Sequence, residues 1–353
     1  MYYRNYFKLK KNNQEIFNKK LNWYFDIKSI NYKKMSKNME TKFAKNLISN
    51  YDKLKNNKKV KKKIIKSKKI NYLKINPKKI QRSRLLKIIA QAKKLNLNEY
   101  FRHFIFQGSV ASLDCVKGWS DIDIFAVTND KIFTNKKYLI ELRKKLKIFY
   151  REILKFCKFQ HHGLILYTEK DLKNYLNGFL PHEALIQNFS IFDDDKVTFY
   201  KDNKKNNKNI SKKIIIQRTN FLKETLKIKK YNHHVISKKI PTLPFEESKP
   251  HMFELFYQMT TTLNIPILYL DALGKSSHKK NSFQKFYKLI RNRKVISFLK
   301  KHEKIRKNWK NYESKNFLIN KKLIKILGNS YIEDTLNIYK YLNKKLKIPN
   351  KSV

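Results

Sequence analysis

The sequence predicts an α+β chain: a small mixed β-sheet with helices packed on it, followed by a bundle of helices. Three observations point there. Between Ser83 and Leu172, segments of helical and strand periodicity alternate. From Ile214 onward the pattern is helical. Only 6 Gly and 7 Pro interrupt 353 residues, which favours long helices with few sharp turns.

Residues 1–80 read as a basic N-terminal arm, partly helical or disordered, mixing aromatic and basic side chains with weak periodicity. Within it, Lys53 to Lys69 holds ten lysines in seventeen residues. Like charges at that density repel, so this run reads as a solvated linker or an exposed helix face. Ser83 to Leu95 is a helix, with Leu85, Leu86, Ile88, Ile89 and Ala92 on one side. Tyr100 to Phe106 is a strand rich in aromatics. A Gly108-Ser109 turn leads into a short helix through Ala111 to Leu113, and Asp121 to Val127 is the second strand. Tyr138 to Phe156 is a helix with Leu139, Leu142, Leu146, Phe149 and Ile153 on one face. Leu164 to Tyr167 is the third strand, and Glu169 begins another helix. The α/β domain thus spans 81–200. The Lys/Asn-rich stretch 201–213 reads as a linker and 214–353 as a helical domain, with helices over Met252–Leu263, Ser282–Lys300 and Ile332–Leu346.

The net charge is +55. It fits a polyanionic partner such as RNA, and equally a genome rich in A/T codons, which encode Lys, Asn, Ile, Tyr and Phe. Cys115 and Cys157 stand apart with no metal-ligand spacing, which suits a reducing compartment. No apolar run approaches the roughly 20 residues that span a bilayer. The N-terminus lacks the apolar core of a signal peptide. A cytoplasmic protein without a membrane partner is expected.

The chemistry concentrates in Phe106-Gln107-Gly108-Ser109 and Ser120-Asp121-Ile122-Asp123-Ile124. On a strand, residues two apart share a face, so Asp121 and Asp123 point together while Ile122 and Ile124 face the core. Paired carboxylates suit Mg²⁺, which takes a few carboxylate oxygens plus substrate phosphates. A Gly-Ser turn offers N–H groups and a hydroxyl to an anion. Outside this stretch, Asp193-Asp194-Asp195 reads as a surface turn or a cation site.

With its eleven-residue gap between Ser109 and Asp121, this pattern resembles the polymerase-β-like nucleotidyltransferase superfamily, in particular its minimal and aminoglycoside-type members. The likeness runs through Gly108 to Asp114 and Lys117 to Asp123, and extends to Gln160-His161-His162-Gly163 and, loosely, to Pro266–Phe283. It implies Mg²⁺ (or Mn²⁺) held by Asp121 and Asp123, with Gly108 and Ser109 on the β- and γ-phosphates of an NTP substrate. Lys279 and Lys280 would reach the triphosphate from the helical half. The implied activity moves a nucleoside monophosphate from the NTP to a hydroxyl on RNA, a small molecule or a protein. One departure matters. Active members carry a third carboxylate on the next strand, where this chain reads Gln160-His161-His162-Gly163-Leu164. His161 or His162 could serve as base or ligand, since an unperturbed imidazole titrates near pH 6.5. The alternatives are an impaired nucleotidyltransferase-fold protein that binds nucleotide or RNA, and an antitoxin-like protein with a protein partner.

Overall fold

The computed structural model describes residues 13–25, 35–54, 62–66, 82–156, 160, 164–173, 188–192, 196–200, 207–227, 230–231, 243–244, 252–275, 277, 279–312, 320–328 and 330–347. They form two compact units, one from the described residues up to 200 and one from 207 onward.

In the first unit the order is α1 (Asn13–Tyr24), α2 (Lys37–Asp52), β1 (Lys62–Lys66), α3 (Arg82–Lys94), β2 (Phe101–Gln107), α4 (Gly108–Ala111), β3 (Asp123–Thr128), α5 (Lys136–Phe156), β4 (Ile165–Thr168), α6 (Glu169–Lys173), β5 (Phe189–Ser190) and β6 (Lys196–Tyr200). Four strands make a mixed sheet in the order β4-β3-β2-β5. β2 runs antiparallel to both β3 and β5, and β3 runs parallel to β4. The parallel pair needs a crossover, and α5 supplies it. One sheet face carries Ile105, Phe125, Val127, Tyr167, Leu172 and Val197 as a buried cluster. On the other, Phe104 meets Phe149 of α5 with ring centroids 5.5 Å apart. The α5 stripe of Leu139, Leu142, Leu146, Phe149 and Ile153 is buried throughout, as its spacing predicts.

The basic N-terminal region contributes two helices to this unit. Asp171 is fully buried, and its Oδ1 accepts from Gln14 Nε2 and Asn18 Nδ2 of α1, both at 2.6 Å. Its Oδ2 accepts from Thr168 N at 2.7 Å, while Thr168 Oγ1 accepts from Asp171 N at 3.2 Å. This reciprocal pair is a capping box at the start of α6. Asn22, one turn further along α1, accepts from Leu166 N at 3.1 Å and donates to Leu166 O at 3.0 Å. Arg143 of α5 donates to Tyr24 O at 3.0 Å and pairs with Glu40 of α2 at 2.8 Å.

Several boundaries differ from the sequence expectation. The lysine-rich run contains a strand: β1 pairs antiparallel with β6, from Lys62 opposite Tyr200 to Lys66 opposite Lys196. Ile64 and Ile65 give the run β propensity, and its partner lies more than a hundred residues away, beyond the reach of local charge density. The second strand begins at Asp123, so Asp121 lies ahead of it. The stretch read as a linker contains the first turns of a helix starting at Asn207.

In the second unit, α7 (Asn207–Lys227) is followed by a short ladder of β7 (Lys230–Tyr231) with β8 (Leu243–Pro244), then α8 (Met252–Leu263), α9 (Ile265–Ala272), α10 (Lys279–Leu289), α11 (Arg293–Lys307), α12 (Lys321–Leu327) and α13 (Tyr331–Lys345). The single helix expected over Ser282–Lys300 is two. Asn292 breaks it by capping α11, its side chain accepting from Lys294 N at 3.0 Å and Val295 N at 3.2 Å. α7 packs on α9 and α13, and α8 on α11. Buried hydroxyls and amides tie the bundle: Thr262 bonds Tyr331 and Thr335, Asn343 bonds Thr219, and Arg218 bonds Thr261. Among the described residues no helix is long and apolar enough to cross a membrane.

Candidate functional site

The ends of β2 and β3 converge where the sequence places Gly108, Ser109, Asp121 and Asp123. Gln107 is the last residue of β2 and lies directly opposite Asp123, the first of β3. Gly108 follows with φ +67°, a left-handed conformation that glycine adopts without a Cβ penalty. A Cβ at Gly108 would overlap Oδ2 of Asp123 and lie 3.2 Å from its Cγ. The Asp123 carboxylate therefore rests in the space that glycine leaves open.

α4 is a single turn, closed by Ser112 N donating to Gly108 O at 3.0 Å. Ser109 is half-buried, and its O accepts from Asp114 N at 2.9 Å. The Cys115 thiol lies 3.8 Å from Ser109 Oγ. The loop between the strands is held by Ser120, whose Oγ accepts from Val116 N at 2.9 Å while its N donates to Val116 O at 2.9 Å. Trp119 is buried beneath it.

Asp121 and Asp123 are both half-buried and flank the buried Ile122. Gln160 fixes that segment: its Oε1 accepts from Ile122 N at 2.8 Å, and its Nε2 donates to Ile122 O at 3.0 Å. This side-chain amide takes both backbone groups that a ladder would otherwise use. That explains why β3 starts two residues later than expected, at Asp123, and why Asp121 stands outside the strand whose face it was expected to share.

Gln107 is 2% exposed, and its Oε1 is buried with no hydrogen-bond partner among the described residues. Continuing the β2–β5 register, Ile105 to Ser190 and Phe106 to Phe189, brings Asn188 opposite Gln107. Asn188 is also buried. Two amides thus extend the row from Asp123 across the end of the sheet. Sequence reading passed over Gln107, Asn188 and the anchoring role of Gln160. The available signal was a glutamine closing the strand Phe101–Gln107, where every other inward position is apolar or aromatic except His103.

His161 and His162 lie outside the described residues, as do Asp193, Asp194 and Asp195. Lys279 and Lys280 open α10 in the second unit, with side chains outside the described set. Glu169 and Asp171 stand past the far ends of β3 and β4, where Glu169 accepts from Asp130 N at 3.4 Å. They belong to helix capping and stand away from the aspartate pair. Among the described residues, no group of three or more His, Cys, Asp or Glu is placed to hold a metal ion.

Asp121 and Asp123 offer carboxylate oxygens at this end of the sheet, which fit a hard cation such as Mg²⁺ or Mn²⁺. The space left by Gly108 also lets the Asp123 carboxylate reach the Gly-Ser turn. Comparison with family models, with curated proteins and with solved structures returned no match.

Proposed function

We propose that the first unit binds a nucleoside triphosphate with a divalent cation, as an impaired member of the polymerase-β-like nucleotidyltransferase type. The observation that carries this reading is the seating of Asp123 over Gly108, which joins a carboxylate to a Gly-Ser turn at one strand end. Asp121 and Asp123 would hold Mg²⁺ or Mn²⁺, and the N–H groups and hydroxyl of Gly108-Ser109 would meet the phosphates. The cation would neutralise phosphate charge when bound. This first reading is of binding alone. RNA is the polyanion that the +55 charge would favour.

A second reading is turnover, with a nucleoside monophosphate passing to a hydroxyl on RNA, a small molecule or a protein. The acceptor oxygen would bond the α-phosphorus, pyrophosphate would leave, and the hydroxyl proton would pass to His161 or His162. What favours it is Gln160, which is anchored between the two aspartates and immediately precedes His161 in sequence.

Binding of a non-hydrolysable ATP analogue with Mg²⁺ or Mn²⁺, by calorimetry, tests the first reading. Affinity should fall at least tenfold in Asp121→Asn and Asp123→Asn; unchanged affinity in both would sink it. Labelled NTPs offered with tRNA, protein and small acceptors test the second. Label transfer abolished by either aspartate variant establishes turnover, and binding without transfer restricts the protein to the first.

A further inference from the structure

We propose that Gln107 is the third oxygen ligand of the cation held by Asp121 and Asp123. This rests on the cation-and-nucleotide reading above and adds a residue to it.

Every other described inward position on β2 is apolar, aromatic or His103, yet the strand closes on a carboxamide that is 2% exposed. Its Oε1 accepts no hydrogen bond among the described residues. A buried amide oxygen left so is costlier than the hydrogen bond it forgoes, and such groups call for a partner. The register supplies its direction. Gln107 and Asp123 are directly opposite on antiparallel strands, so their side chains rise from the same sheet face, with Cβ atoms about 5 Å apart. The Asp123 carboxylate leans back over Gly108, the residue that follows Gln107. A carboxamide oxygen and a carboxylate are thus brought to one corner of the sheet.

A cation placed among oxygen acceptors in a partly desolvated corner would offset their repulsion and give the Gln107 carbonyl the partner it lacks among the described residues. Hard divalent cations take amide carbonyl oxygens alongside carboxylates. The amide adds a ligand without adding charge, so two aspartates balance one divalent ion. It approaches from β2, on the other side of β3 from the strand on which a third carboxylate was expected.

The probe is Mn²⁺ with the full-length chain, read by loss of the free Mn²⁺ paramagnetic resonance signal and by metal-dependent thermal shift. Wild type should bind, and Asp123→Asn should lose binding. Gln107→Leu, which suits a buried position, should keep the fold and bind at least tenfold more weakly. Gln107→Glu should bind about tenfold more tightly than wild type, with a larger Mn²⁺-dependent rise in melting temperature. A purely structural glutamine predicts the opposite for Gln107→Glu: a less stable protein that manganese does not rescue. If both Gln107 variants bind like wild type while Asp123→Asn does not, Gln107 is no ligand and the cation site stands. If wild type fails to bind, or Asp123→Asn binds normally, the underlying reading falls and this one with it. Should Gln107→Leu not fold, the Gln107→Glu comparison decides alone.

Discussion

Replacing Gln160 with Leu isolates one contact that holds the aspartate segment in place. In wild type the amide satisfies Ile122 N at 2.8 Å and Ile122 O at 3.0 Å, and both residues are about 1% exposed. Leucine fills similar space and offers neither group a partner. Each orphaned backbone group costs about 1–3 kcal/mol, so two give roughly 2–6 kcal/mol. Partial relaxation toward water and the apolar gain of leucine bring the expected loss to about 3 kcal/mol. The most direct assay is amide hydrogen exchange at Ile122, which reports the opening free energy of that site. A loss of about 3 kcal/mol corresponds to exchange roughly 100-fold faster. Urea unfolding followed at Trp119, buried in the adjoining loop, should show a matching drop in midpoint. Gln160→Glu retains an acceptor for Ile122 N and loses the donor to Ile122 O, so its effect should fall between the two. Exchange at Ile122 within threefold of wild type in Gln160→Leu would refute the clamp.

Gly108→Ala should lower the stability of the first unit by about 1–2 kcal/mol from its left-handed φ alone. Displacement of Asp123 should add to this and weaken Mn²⁺ binding, so a thermal melt and a manganese titration should move together. Asp171→Asn converts an acceptor-only group into one with a donor facing Gln14, Asn18 or Thr168. A loss of about 2–3 kcal/mol is expected, seen as faster limited proteolysis within α1 and an unchanged fragment pattern from the second unit. Burial lowers the pKa of His103 in the first unit and of His302 in the second, each to about 4, against about 6.5 when unfolded. The neutral rings then contribute stability fully above pH 6.5, and it is lost as pH falls from 6.5 through 4. The contribution of each amounts to about 3 kcal/mol over that window. Urea melts at stepped pH should show it, and His302→Phe should flatten the second unit's acid slope.

Where periodicity is local, the sequence told the structure well. The stripe Leu139–Ile153 is the buried face of α5, and Met252–Leu263 is α8 to the residue. The failures involve partners remote in sequence. Lys62–Lys66 is a strand only because residues 196–200 lie beside it. Asp121 lies outside β3 because a glutamine 38 residues away takes the intervening backbone. The break at Asn292 was legible in principle, since an asparagine two and three residues before free N–H groups is a cap, but apolar spacing carried across it. At the site, spacing picked out Gly108 and Asp123, which the fold brings against each other. Gln107 was invisible because its meaning comes from register, which pattern alone does not fix.

The bond from Asn22 to Leu166 has a consequence for solubility. β4 is the outer strand of the sheet, and an outer strand with bare amides and carbonyls is a template on which another chain can polymerise. One side-chain amide occupies the donor and acceptor of Leu166, a single residue's worth of counterfeit strand. It comes from a helix synthesised well before the strand it covers. The growing chain therefore carries its own stopper in advance, and a form lacking α1 should self-associate through β4 even where its remaining fold is sound.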